Sequence, residues 1–154
     1  MGNDSQLTVV EDAKKDEFVT QVRRNVETSQ YLNELRANIR EGQGYVEISR
    51  HSFDYPALCV CYMDRVGVVQ AFPNAETSLI LKGTGIFKTD ETIDLPVMGE
   101  MTPFTGDFII SADVIIETVG QFIENFDLDT VGEWCMAVMK RNRIFRGFPV
   151  LFRI

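Results

Sequence analysis

The chain is poor in the residues that most often do chemistry. Among 154 residues there is one histidine, His51, and three cysteines, Cys59, Cys61 and Cys135. An odd cysteine count argues against a disulfide framework, and one His with no CxxC pair leaves little to hold a zinc ion. No metal or other cofactor is expected. A Cys-His nucleophile pair would have to recruit His51, which stands in the turn-like setting Arg50, Ser52, Asp54, so catalysis has no recognisable motif and a non-enzymatic protein is expected. Gly83-x-Gly85 is too short for a phosphate-binding fingerprint and is not followed by a helical pattern. No apolar run is long enough to span a membrane, and the polar, acidic start lacks the apolar stretch of a secretory signal, so a cytoplasmic location is expected.

Acid is what the chain has in excess. The net charge is −8, and it is unevenly spread. Lys140, Arg141, Arg143, Arg146 and Arg153 crowd residues 140–154 with no acid among them, so residues 1–139 set 10 cations against 23 acids, a balance of −13. Such a surface repels nucleic acid and membranes and attracts basic partners.

Periodicity predicts one α+β domain over residues 1–154, with residues 1–10 a frayed start. Phe18, Val19, Val22 and Val26, then Leu32, Leu35 and Ile39, recur at three- and four-residue steps, which predicts a long N-terminal helix over residues 11 to about 41. Glu11, Asp12, Asp16 and Glu17 would suit its positive end, and Thr28-Ser29 offers a break. The middle changes period. Residues 45–48 alternate, 57–63 form a continuous apolar run, and Asp64-Arg65 turns the chain into 66–72. Residues 78–81, 86–88 and 92–95 follow as short strands, and Pro96, Gly99 and Pro103 mark a loop. The expectation is an antiparallel meander of about five to six strands, with the long helix and a second amphipathic helix packed on one face. The second helix follows a short strand at 108–110. It is capped by Ser111 and carries the stripe Ile115, Ile116, Val119, Phe122, Ile123 and Phe126. Gly120 interrupts it, as close packing against the sheet would require. Residues 134–139 return to the sheet and 149–152 add an edge strand.

Loops carry binding residues more often than scaffolds do. Asp90, Glu91 and Asp94, with Glu100 and Asp107 around the next loop, are therefore the candidate partner-binding residues. An acidic patch of this kind would meet a basic enzyme cleft and occupy positions meant for phosphates.

The stretch Gly106 to Trp134, GDFIISADVIIETVGQFIENFDLDTVGEW, with the apolar hairpin at 57–72 upstream, resembles the first-numbered family of immunity proteins in bacterial polymorphic toxin systems. Protectors against nucleic-acid deaminase toxins belong to that family. The likeness covers residues 55–134. It departs at Asp127-Leu128-Asp129-Thr130, where the family often has Gly and Pro, and in the longer basic tail. It implies a cytoplasmic inhibitor, monomer or homodimer, that caps the catalytic domain of a cognate toxin. Size and charge also fit an acidic secretion chaperone that binds an extended effector segment as a dimer.

Overall fold

Residues 57–63, Ala-Leu-Cys-Val-Cys-Tyr-Met, have no polar side to offer to water, so a strand made of them must be covered on both faces. The fold is arranged around that requirement. The structure, a computed structural model, describes residues 6–12, 20–139 and 149–152. Its strands are β1 (Gln6–Asp12), β2 (Thr20–Glu27), β3 (Gly44–Arg50), β4 (Ala57–Met63), β5 (Val66–Asn74), β6 (Thr77–Leu81), β7 (Thr92–Val97), β8 (Glu100–Thr105), β9 (Ile110–Ser111), β10 (Trp134–Met139) and β11 (Pro149–Phe152). The helices are α1 (Thr28–Glu41) and α2 (Ala112–Asn125). One antiparallel sheet runs in the order β11-β10-β6-β5-β4-β3-β1-β2, with β9 paired to β5 beside β6, and β7-β8 form a separate two-stranded sheet.

Alternate residues of the central strands serve two cores. Val46 and Ile48 on β3, Leu58, Val60 and Tyr62 on β4, and Val69 and Ala71 on β5 pack under α1 and α2. Tyr45, Cys59, Cys61 and Val68 point the other way, where Leu95 and Phe104 of the β7-β8 hairpin, with Phe108 and Ile109, cover them. The α+β class stands, but the sheet is larger than the expected five to six strands and is covered on both sides.

Several local expectations change. Residues 6–10 are not frayed: Leu7 and Val9 are fully buried in a strand between β2 and β3. The long N-terminal helix does not exist as such. Residues 20–27 form an edge strand, α1 begins only at Thr28, and residues 13–19 lie outside the described residues. The boundary falls at the Thr28-Ser29 break because the Glu27 carboxylate accepts the backbone N–H groups of Ser29 (3.2 Å) and Gln30 (2.9 Å) and caps the helix there. Glu11 is a strand residue and helps hold β2 through Arg23 (3.2 Å), which also pairs with Glu34 of α1 (2.7 Å). Residues 86–88 are not a strand. Pro96 and Pro103 sit within β7 and β8, where two edge strands leave room for a missing donor, and Met98-Gly99 form the turn with φ of 51° and 89°. The strand expected at 108–110 is a 3-10 turn at 106–108 followed by β9.

The β4-β5 turn at Asp64-Arg65 has positive φ at both residues, 53° and 67°, the geometry that matches strand twist even without glycine. Ser111 caps α2 by accepting the Val114 N–H at 3.3 Å. Residues 134–139 and 149–152 join the sheet as expected, while the basic segment 140–148 lies outside the described residues.

Two glycines divide cleanly. A side chain at Gly67 would strike the Cys61 carbonyl oxygen and come within 2.8 Å of Ile115 Cδ1, so this glycine lets α2 start against the β4-β5 hairpin. A methyl group at Gly120 would sit 3.6 Å from Leu32 of α1, an ordinary contact, and it faces the other helix rather than the sheet. Gly67→Ala is expected to destabilise by about 2 kcal/mol through overpacking. Gly120→Ala should stabilise by about 0.5–1 kcal/mol through helix propensity. Opposite shifts in the urea midpoint would check the pair.

The Arg23 guanidinium holds the Glu34 carboxyl below its usual range. A lowered folded-state value stabilises above the unfolded pKa, and the benefit is lost as pH falls through the folded value. Glu34→Gln should therefore cost less than about 1 kcal/mol near neutrality, because the pair is only partly buried. The difference from the parent protein should vanish in acid, a point for pH-resolved urea titration.

Candidate functional site

The five acids singled out by sequence gather around one element, the β7-β8 hairpin. Asp90 and Glu91 lie in the turn entering β7, and Asp107 lies in the 3-10 turn leaving β8. These two approaches are stitched together: the Gly106 N–H donates to the Glu91 carbonyl oxygen (2.9 Å), and Glu91 Oε1 accepts the Lys88 N–H (3.1 Å). A side chain at Gly106 would run into the Lys88 carbonyl oxygen, so glycine is required for this closure. Glu100 stands at the opposite end, beside the Met98-Gly99 turn. Strand rise separates the two ends of the hairpin by roughly 17 Å. The acids therefore flank one surface without forming one cluster.

Register sorts the hairpin's two faces. Ile93 pairs with Phe104 and Leu95 with Thr102, and these side chains turn toward the main sheet, with Leu95, Phe104 and Thr102 buried. Asp94 pairs with Pro103 and Pro96 with Met101 on the other face, where Asp94, Met101 and Pro103 are exposed and Pro96 is buried. Met98 is 54% exposed and Met101 49%. The outer face thus sets Asp94 among exposed Met101 and Pro103, with Met98 and Glu100 at the tip. From residue 89 to residue 139 the chain has 11 acids and no Lys or Arg, so no cation of this stretch offsets them. The acids were legible from sequence. The apolar members Met98, Met101 and Pro103 were not, because the prolines and glycine there read as a loop rather than as a two-faced hairpin.

The thiols belong to the core. Cys59 and Cys61 lie side by side on the face of β4 beneath the hairpin, and Cys135 is buried on β10. The Tyr45 hydroxyl donates to Glu47 Oε2 (2.7 Å) and lies 3.7 Å from Cys59 Sγ. Burial pushes the Cys61 thiol up to about 12, and it pushes Cys59 further, with the Glu47 charge adding to the effect. His51 Nδ1 stands 3.5 Å from Thr8 Oγ1 at the end of β3. Among the described residues no group of three or more His, Cys, Asp or Glu side chains is placed to hold a metal ion, and no helix is long and apolar enough to cross a membrane. A groove of about 360 Å³ opens between the end of α1 and the β4-β5 turn, lined by Arg40, Glu41, Asp64 and Arg65 among others, away from all five candidate acids.

A second exposed group was missed by sequence reasoning. Phe53 (53% exposed) and Tyr55 (43%) project from the β3-β4 loop beside Arg50. Their presence between Arg50 and Pro56 was the available signal, hidden by the turn composition around His51.

The sequence matches no protein-family model, and comparison with curated proteins finds no match.

All three cysteines are buried, out of reach of a reagent in solution. Native protein at neutral pH should therefore leave all three cysteines unlabelled by a thiol-reactive disulfide reagent over the time in which the urea-unfolded chain reacts at all three, counted by absorbance and mass.

Proposed function

We propose that the protein is a cytoplasmic inhibitor of the immunity type, which binds the basic catalytic domain of a cognate secreted toxin and caps its active site through the β7-β8 hairpin. The observation that carries this reading is the outer face of that hairpin, where Asp94 and Glu100 accompany the exposed Met98, Met101 and Pro103. Methionine is enriched in protein interfaces, where its flexible side chain adapts to irregular surfaces. Carboxylates around such an apolar centre speed encounter with a basic cleft and reject acidic competitors. Asp90, Glu91 and Asp107 extend the acidic border at the base of the hairpin. The resemblance of residues 55–134 to immunity proteins supports the same reading, and the inhibitor has no catalytic step of its own.

The experiment is co-purification of tagged protein from its native cells, with the double variant Asp94→Lys, Glu100→Lys alongside. The expected result is a stoichiometric basic domain, bound about 100-fold more weakly by the variant, mostly through slower association that is sensitive to salt. Retention of an extended effector segment on a dimer would replace the inhibitor by the secretion-chaperone reading. Equal binding by the variant would remove the hairpin from the interface.

A further inference from the structure

Sulfur occupies two opposite settings in this fold. Cys59, Cys61 and Cys135 are buried, and Cys59 and Cys61 lie beneath the β7-β8 hairpin in the core that Leu95 and Phe104 close. Burial also keeps the two β4 thiols protonated, with Cys61 pushed up to about 12 and Cys59 further. The thioethers are placed the other way. Met98, Met101 and Met136 are exposed, and Met63 at the end of β4 is half-buried. Met98 and Met101 bracket Gly99 and Glu100 at the tip of the hairpin, and Met101 lies across the ladder from Pro96. Neither belongs to the inward row of Ile93, Leu95 and Phe104 that holds the hairpin on the sheet.

Susceptibility to oxidants follows exposure and, for cysteine, thiolate character. Hydrogen peroxide arriving from solution therefore meets the hairpin thioethers before any of the three thiols. The sulfur lone pair takes one peroxide oxygen. An S–O bond forms as the O–O bond breaks, and the leaving hydroxide takes the proton of the transferred oxygen and departs as water. Sulfur is oxidised by two electrons and the peroxide is reduced. The sulfoxide is polar where the thioether was apolar, and sulfoxide reductases can return it. Asp94 and Glu100 are untouched by this reaction, so the outer face keeps its charge while its apolar centre shrinks to Pro103.

We propose that Met98 and Met101 form a reversible oxidation site, where hydrogen peroxide converts both thioethers to sulfoxides while the fold stands, and that this modification releases the partner held by the hairpin. The fold stands because both side chains lie outside the buried rows. The release step rests on the inhibitor reading, whereas the modification site does not. Met136 is the internal comparison, since it is exposed on β10 of the main sheet rather than on the hairpin.

The test treats the tagged full chain with hydrogen peroxide, removes the excess with catalase and maps the digested protein by mass spectrometry. The variant Met98→Leu, Met101→Leu, a swap that nearly keeps side-chain volume, runs alongside. Met98 and Met101 should each take up one oxygen about tenfold faster than Met63, with the cysteines unoxidised. The oxidised parent should keep its urea midpoint. It should also elute earlier from a hydrophobic-interaction column, by a larger step than the treated variant, which still carries Met136. As bait in lysate of the native cells, the oxidised parent should retain about tenfold less of the basic domain than the untreated parent, and sulfoxide reductases should restore it. Whatever the variant captures untreated, peroxide should not lower it. Thiol oxidation ahead of the thioethers, a fall in the urea midpoint, or an equal elution step in the variant would overturn the modification site. Capture by the oxidised parent at the untreated level, or an equal peroxide loss in the variant, would overturn the release. Absence of a basic domain on the untreated parent would remove the inhibitor reading and the release together, and the mass map and column would still decide the modification site.

Discussion

The double-sided burial of β4 is the constraint on which the rest of the structure depends. Leu58 and Val60 are fully buried on the helix face, while Cys59 and Cys61 are buried on the other. A sheet with one solvated face would leave one of these rows in water, at roughly 25 cal/mol per Å² of apolar surface. Two covers are thus required, and they differ in kind. The helical cover is thick and continuous, with α1 and α2 packed on each other as well as on the sheet. The hairpin cover is thin, with Leu95 and Phe104 as its fully embedded apolar anchors.

That asymmetry explains what could be read from the sequence. The apolar run at 57–63, its partner at 66–72, the Ser111 cap and the stripe of α2 are local patterns backed by local physics, and each lies where periodicity puts it. The N-terminal third is different. Val22 and Val26 stand four apart, which is a helical spacing, yet they lie in β2 on opposite outcomes of burial, Val22 exposed and Val26 inside. Asn25 takes a left-handed φ of 62° between them and breaks the alternation that would have marked a strand. What decides the strand state is pairing of β1 with β3 across about 40 residues, Leu7 opposite Arg50 and Glu11 opposite Val46. No local pattern encodes that contact.

The candidate sites show the same division. Acidic residues at 90, 91, 94, 100 and 107 are visible as composition, but their arrangement along a single hairpin depends on the register of β7 with β8. Pro96 and Pro103 argue against strands in general and are tolerated here because a two-stranded sheet consists only of edges. The Arg50 surface is less legible still. Phe126 comes to Arg50 from the far end of α2, so its two rings are 73 positions apart in the chain and meet only once the helix has packed.

The alternation of β7 and β8 separates an inward row that holds the hairpin from an outward row, within six residues per strand. Ile93, Leu95 and Phe104 face inward and fix the hairpin on the sheet, whereas Asp94, Met101 and Pro103 face outward and contribute little to that attachment. Substitution of Asp94, Met101 or Pro103 leaves the buried rows of β4 covered, so the outward chemistry can change without exposing the core. The loop around Arg50 has the same independence for another reason. Its turn is held by backbone hydrogen bonds, His51 N–H to the Gln6 carbonyl and Phe53 N–H to the Arg50 carbonyl, which do not use the side chains at positions 53 and 55. A fold that must cover both faces of its central strand thereby carries an outward hairpin face that is acidic and apolar, and a loop in which Arg50 lies near the rings of Phe53 and Phe126. If the hairpin's outer face is the one that binds, the local pattern of charge there, rather than the net −8, would set specificity.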